Sequence, residues 1–299
     1  MSHFAMANSR RIVVAVKLVA TEVSVDPIRG KVHVDPRFLA ISAADQAAFG
    51  LALALAPRLG ATVEVVSVGP PECVEVLRDM IAAGASSATR IAIEADATHG
   101  ESVAGDLAGQ WDSASVAAVM APIIAGADVV LCGDYSLDRG SGSVPAFLAH
   151  HLSSAQALGL VAVRLEGERV LAERRLDAGR REHLEIPLPA VLSVEPSVAV
   201  APRSSLAASL ATPASAVGLV RAIAPQGAEP GPPAGTRQRP YRPRPAFVRP
   251  PESDLPAWRR VVELTGALSD REAPTTIEVD PPEAAAAIVE QLRAWGYLE

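Results

Sequence analysis

Residues able to do chemistry are few in this chain, and their spacing is the first constraint. Six histidines (His3, His33, His99, His150, His151 and His183) form no set spaced with cysteine or carboxylate for a metal. His150 and His151 follow an apolar helical pattern, where adjacent side chains point to different faces, so they read as helix-end surface residues. The two cysteines, Cys73 and Cys132, lie far apart without a CxxC partner. That excludes a disulfide framework or an iron–sulfur centre in this chain alone, and both read as buried thiols. A nucleophile elbow, a Walker A sequence and a zinc-hydrolase motif are all absent. Covalent catalysis is not expected.

One stretch does suit a ligand. Cys132 to Pro145 reads C-G-D-Y-S-L-D-R-G-S-G-S-V-P and runs from the end of a strand pattern into a helix pattern. Its glycines allow close backbone approach, its serine hydroxyls and the free helix N–H groups donate to an anion, and Pro145 suits a first helical turn. On spacing alone, an anion site and an ordinary flexible loop fit equally. Position favours the anion site, because α/β sheets bind nucleotides at the carboxyl ends of parallel strands.

The elements that must position this loop alternate through the first 195 residues. Arg11–Val19 reads as a buried strand, and Ser42–Leu59 as a helix with Ser42 and Asp45 at its mouth and Gly60 after it. Strands follow at Ala61–Val68, Ala88–Ile93 and Asp128–Cys132, with helices at Glu72–Ala83 and near Ser115–Ala125, the latter kinked or shortened by Pro122. Beyond Gly159 come strands without helices, Leu160–Leu165, Arg169–Leu176 and Glu182–Ile186, while Ala190–Glu195 suits a return to the main sheet. The expected fold is a doubly wound, mainly parallel α/β sheet with an antiparallel extension and a C-terminal arm. Residues Pro225–Pro256 hold ten of the chain's 25 prolines and five arginines without apolar periodicity, an extended linker. A strand-like Thr275–Val279 and an amphipathic helix over Pro282–Trp295 close the chain. The expected domains are thus 1–224, a linker over 225–256 and an arm over 257–299 that docks on another surface.

Composition narrows the class further. The 299 residues are 49% hydrophobic and 20% charged, which is globular, and the net charge of −7 argues against non-specific nucleic-acid binding. Met1–Arg11 carries no apolar signal core, and no eighteen-residue apolar run is present. A cytoplasmic protein without membrane insertion is the expectation.

Four separated segments resemble the beta subunit of the electron transfer flavoprotein family. Val13-Val14-Ala15-Val16-Lys17 is similar to the family's first strand. Val66-Ser67-Val68-Gly69-Pro70, continuing through Glu75, Leu77-Arg78 and Ala82-Ala83-Gly84-Ala85, resembles its strand, Gly-Pro turn and helix. Arg174, Asp177, Gly179, Glu182, Leu184, Pro189 and Val191 follow most of its signature spacing, and this segment is the most specific. Thr276–Leu298 looks like its C-terminal arm, whose terminal helix would dock on the alpha subunit. The resemblance implies an α/β nucleotide-binding subunit without catalytic residues of its own. It would pair with an alpha subunit holding most of the FAD contacts, take electrons from a dehydrogenase and pass them toward a quinone reductase. The beta pocket would hold AMP or, in some members, a second FAD. Carried over by position, Ala15, Val66, Val68 and Gly69 would line its adenine side, and Asp138, Gly140, Ser141, Gly142, Ser143 and Val144 its phosphate loop. Leu206, after Pro202-Arg203, matches an exposed leucine that anchors in a partner dehydrogenase, although a leucine packing on its own domain fits equally.

Departures from the family are visible too. Ser143-Val144 replaces a pair beginning with glutamine, Pro145 replaces a glycine, Asp35-Pro36 replaces Asn-Pro, and Glu22 stands near a usual tyrosine. Lysines after the Leu206 segment are missing, which suits divergent members linked to peptide-derived redox cofactor systems (mycofactocin). An adenine-nucleotide hydrolase would need a Gly/Ser-rich loop after the first strand, where Leu18-Val19-Ala20-Thr21-Glu22 stands instead. A stand-alone nucleotide sensor would leave the C-terminal arm without a role.

Overall fold

Runs of β-branched residues bounded by glycine and polar turns build the centre of the molecule. The computed structural model describes residues 10–26, 29, 31–94, 111–167, 169–228, 251–265, 276, 278–294 and 297–298. The chain divides into two units, residues 1–242 and residues 243–299.

In the first unit, nine strands form one sheet. They are β1 (Arg10–Ala15), β2 (Ala61–Val68), β3 (Ser87–Glu94), β4 (Val129–Gly133), β5 (Ala155–Glu166), β6 (Arg169–Arg175), β7 (Arg181–Ile186), β8 (Ala190–Val194) and β9 (Val217–Ile223). Their spatial order is 7-6-5-8-4-1-2-3-9. Neighbours from β5 across to β9 in that order are parallel. The β6 and β7 strands add the antiparallel extension. Helices α1 (Ala43–Leu59) and α2 (Cys73–Ala82) cover one face, and α3 (Ser113–Ile124) and α4 (Val144–Leu152) the other. Alternation along the strands divides the core accordingly: Val14 and Leu131 pack toward α1, Val13 and Val130 toward α3 and α4. This is the doubly wound sheet expected.

Several boundaries differ from the sequence reading, each for a physical reason. The Arg11–Val19 run does not stay in one strand. Val16 N–H still donates to the Val66 carbonyl at 2.9 Å, but the Lys17 N–H turns to the Asp45 carboxylate. Leu18–Ala20 then pairs antiparallel with Leu39–Ile41 as a separate ribbon. Strand β5 starts at Ala155, five residues before the expected strand, because its first half runs parallel to β8. The α3 helix contains Pro122, which lacks the N–H that would pair with the Ala118 carbonyl, and it stops two residues later at Ile124. Strand β9 went unforeseen because Gly218 and Arg221 interrupt its apolar pattern; Arg221 is held by Glu94 of β3 at 2.8 Å.

Of the Pro-rich linker, residues 229–250 lie outside the described residues. The second unit contains α6 (Ala257–Thr265), with Trp258, Val261 and Leu264 exposed, and α7 (Pro281–Ala294), whose Glu283 N–H is capped by Asp280 at 3.0 Å. Residues Thr276, Glu278 and Val279 are not in a strand, contrary to the expectation for that segment, and no partner strand stands beside them among the described residues. No helix among the described residues is long and apolar enough to cross a membrane.

Leu131 is fully buried between Val14 and Leu192 of the adjoining strands. Leu131→Ala is expected to cost about 3 kcal/mol in urea denaturation of the full chain, since a central strand has little room to collapse.

Candidate functional site

Strand order decides where a ligand fits. From β1 the chain proceeds to β2 and β3 on one side, whereas β4 has β8 and β5 on its other side. Connections therefore leave β1 and β4 in opposite directions, and a crevice opens at their carboxyl ends. Ala15 and Cys132 face each other in register there, with Val66 on the other side of Ala15.

The loop from Asp134 to Ser143 crosses this crevice. Its root is fixed by the Asp134 N–H donating to the Val194 carbonyl at 3.1 Å, and its turn by the Gly140 N–H donating to the Ser136 carbonyl at 2.8 Å. Gly142 has φ +56°, and a Cβ there would run into the Asp134 carbonyl. Only glycine suits that crossing. The Ser143 hydroxyl donates to that of Ser141 at 3.2 Å and makes no capping bond to α4, so the first amides of that helix are left for another acceptor.

Lysine reaches into the loop from the sheet. Lys17 Nζ forms an ion pair with Asp138, whose side chain is only 10% exposed. Desolvation opposes ionisation of Asp138, but hydrogen bonds from Lys17 and Ser136, the Lys17 charge and the Arg139 backbone amide outweigh it and hold the carboxyl below its usual range. Asp134 behaves oppositely: burial and then the charge of Glu195 push it up. Its Oδ1 is buried without a hydrogen-bond partner among the described residues. Beside the loop, Asp112, Ser113 and Ala114 of the α3 mouth, together with Arg139, Ser141, Ser143 and Phe147, line an open cleft of about 580 Å³. That volume lies within the range of small-molecule sites.

The structure thus brings Asp138, Gly140, Ser141, Gly142, Ser143 and Val144 together as one loop and helix mouth. Ala15 and Val66 stand nearby but are buried strand residues packed toward α3, at 7% and 4% exposure, and do not line the cleft. Val68 and Gly69 are half-buried at the end of β2, where the Gly69 N–H donates to the Ile91 carbonyl at 3.1 Å. Leu206 belongs elsewhere. It opens α5 (Leu206–Ala211), a short helix capped by Ser205 rather than an irregular loop, and is 75% exposed, as is Leu210 at 78% one turn on. Cys73 and Cys132 are buried thiols raised above their usual range chiefly by desolvation. His150 and His151 are exposed on the last turn of α4, and Glu22 is exposed as well.

Two residues escaped the sequence reading as site members. Lys17 is one of only two lysines and directly follows the first strand, which was a usable signal. Asp45 had been read as a helix-mouth residue. Its N–H does take the Ser42 hydroxyl oxygen at 3.0 Å, but its carboxylate accepts from Gly133 N–H and Lys17 N–H. Nothing in the local pattern names partners 28 and 88 residues away.

A mainly parallel α/β sheet with a glycine- and serine-rich loop at its switch point is the class of fold that these elements define. Comparison with known proteins carries this further. A family model described as the electron transfer flavoprotein domain matches residues 39–220, more than half of the chain. The electron transfer flavoprotein subunit beta of Mycobacterium tuberculosis (strain ATCC 25618 / H37Rv) is 32% identical over 137 residues, covering 46% of this chain and 48% of that protein. The same subunit of Thermoanaerobacterium thermosaccharolyticum is 27% identical over 186 residues, 61% of this chain and 66% of that protein. The caffeyl-CoA reductase-Etf complex subunit CarD of Acetobacterium woodii is 26% identical over 186 residues, 61% and 67% of the two chains. The match spans about half the length of the mycobacterial relative. The chain belongs to the electron transfer flavoprotein family, as a divergent member of its beta-subunit branch.

Lys17→Met tests the electrostatics of the loop. Asp138 has a depressed folded-state value, so its stabilising contribution is present above about pH 4 and is lost as pH falls through that lower value. In the variant, desolvation acts with less opposition, and the Asp138 carboxyl resonance is expected to titrate at a higher pH than in the wild type. An unchanged midpoint by carbon NMR would remove Lys17 from the site. Gly142→Ala, with the Asp134 carbonyl in its way, is expected to cost about 2 kcal/mol on denaturation.

Proposed function

We propose that this chain is the beta subunit of a heterodimeric electron transfer flavoprotein, which takes electrons from a dehydrogenase and passes them toward a quinone reductase or respiratory chain. FAD is held mainly by a companion alpha subunit, and the two chains act as a cytoplasmic carrier. The beta chain's own cleft takes the phosphate end of an adenine nucleotide, AMP or a second FAD. The observation that carries this reading is the loop Asp134–Ser143, pinned by Lys17 at the switch point of a sheet whose family transfers electrons through flavin.

The residues present fit a phosphate-bearing group. Ser141 and Ser143 supply hydroxyl donors, the uncapped first turn of α4 supplies amides, and Arg139 adds a guanidinium at the rim. The orphaned Oδ1 of Asp134 is an acceptor suited to a hydroxyl or amino donor of the nucleoside. A flavin, when bound, supplies the redox chemistry; this chain's part is to bind, orient and exclude water. No general acid or base is needed for electron passage, which accords with the sparse titratable inventory. An ATP-cleaving reading would want a phosphate loop after β1, but Val16-Lys17 leads there straight into the Leu18–Ala20 ribbon.

Leu206 and Leu210 form the exposed apolar pair of α5 and are assigned to docking the electron donor. Co-expression with the alpha subunit is expected to yield a yellow heterodimer with about one FAD held by the pair, and acid extraction should release an additional adenine nucleotide. A colourless chain that purifies alone and hydrolyses ATP would overturn the assignment. Leu206→Ala should slow electron acceptance from the partner dehydrogenase about tenfold, the loss of one buried apolar anchor, with flavin content unchanged. Equal rates would remove Leu206 from the docking surface.

A further inference from the structure

Asp45 is a buried acid in the first turn of α1, 6% exposed, and no chemistry so far described uses it. It stands between the two strands that flank the switch point. Oδ1 accepts the Gly133 N–H at 3.1 Å, at the end of β4, and Oδ2 accepts the Lys17 N–H at 3.2 Å, just beyond β1. The approach is so close that a Cβ on Gly133 would lie 2.7 Å from Oδ1. The two residues it grips are those from which the candidate site is built. Gly133 leads directly into the 134–143 loop, and the side chain of Lys17 holds Asp138 within that loop.

We propose that Asp45 is the positioning residue of the nucleotide site, fixing the ends of β1 and β4 at one spacing and so setting Lys17 against Asp138. This rests on the reading of the loop as a nucleotide cradle. The chemistry asks for a carboxylate specifically. Two N–H donors on two strands need two acceptor oxygens on one short side chain; asparagine offers one oxygen and an NH₂ that would face a donor, and serine is too short to span both. A carboxylate in an apolar site is costly, and such groups persist where a specific geometry depends on them.

That cost is visible in its titration. Burial raises Asp45 to about 6 against the hydrogen bonds from Lys17, Gly133 and Ser42. The titratable groups facing it are the Cys132 thiol on β4 and, beyond β1, Lys17, whose ammonium is engaged by Asp138. Because the folded-state value is raised, Asp45's contribution to stability is fully present below about pH 4 and is lost as pH rises toward 6. Acid therefore favours the fold through this group while turning one acceptor oxygen into a donor, which releases one of the two amides. A loop that loosens below pH 6 as Asp45's share of stability grows is a signature that a merely structural acid would not give.

The test uses the full chain. In wild type, the Lys17 and Gly133 amide resonances should titrate with one shared midpoint near 6, and exchange of the 134–143 amides, corrected for intrinsic rates, should quicken below it. In Asp45→Asn both responses should vanish, and AMP affinity at pH 7.5 by calorimetry should fall about tenfold, the loss of one charge-assisted bond. Amides that titrate independently in wild type, or an Asn variant that binds AMP as wild type does with unchanged loop exchange, would overturn the role of Asp45 while leaving the cradle intact. Should AMP bind neither protein, the cradle reading fails, and the shared amide midpoint with loop exchange still decides for or against Asp45. Should the Asn variant not fold, the wild-type titration decides together with Asp138→Asn, which should loosen the loop and leave the shared midpoint in place.

Discussion

The parting of the chain at β1 and β4 is the constraint on which the remaining structure depends. Parallel strands need crossovers, and crossovers of one hand carry helices to a face set by the direction of travel. With β2 and β3 on one side and β8 and β5 on the other, α1 and α2 occupy one face and α3 and α4 the opposite one. Among the described residues, no crossover closes over the carboxyl ends of the two central strands. Lys17, Asp45 and the 134–143 loop gather at that line.

An uncovered strand end carries unpaired backbone groups, and the chain satisfies them with remote side chains. At its opposite, amino end the same sheet is closed by structural pairings: Arg11 bridges Glu64 at 2.8 Å and gives a guanidinium bond to the Ala125 carbonyl at 2.9 Å, while its N–H donates to Asp128. Those contacts complete one another and leave little for a ligand. At the carboxyl end the pairing is incomplete. Ser143 makes no side-chain cap on α4, and Asp134 Oδ1 has no hydrogen-bond partner among the described residues. The contrast between a saturated end and an unsaturated end of one sheet is a physical reason to place binding at the latter.

Much of this was legible from residue pattern. Strand β2 follows Ala61–Val68 to the residue because an alternating β-branched run meets a Gly-Pro stop, and α1 ends where Gly60 follows an Ala/Leu-rich helix. The loop Cys132–Pro145 was readable as a strand-to-helix passage for the same local reasons. What local pattern does not carry is partnership across distance. Strand β9 contains Gly218 and Arg221, and becomes a strand through its ladder with β3 rather than through its own periodicity. The break after Ala15 is likewise invisible in R-I-V-V-A-V-K-L-V, since the Asp45 carboxylate, not a turn residue, draws Lys17 out of the ladder. Ala15 and Val66, transferred from family position, are buried strand residues on the face covered by α3 and α4.

The last step joins the sparse chemistry to the charge distribution. An enzyme that moves protons needs groups tuned near neutrality and reachable by substrate. Among the described residues, burial raises Asp45 to about 6 behind the strands and raises Asp134 at the loop, while Lys17 helps to hold Asp138 below its usual range. Lys17 is engaged in holding the loop through Asp138, while the cleft is lined by the hydroxyls of Ser141 and Ser143 together with the Arg139 guanidinium. On the proposed reading, this mix of hydroxyl, amide and guanidinium donors holds a nucleotide phosphate in place.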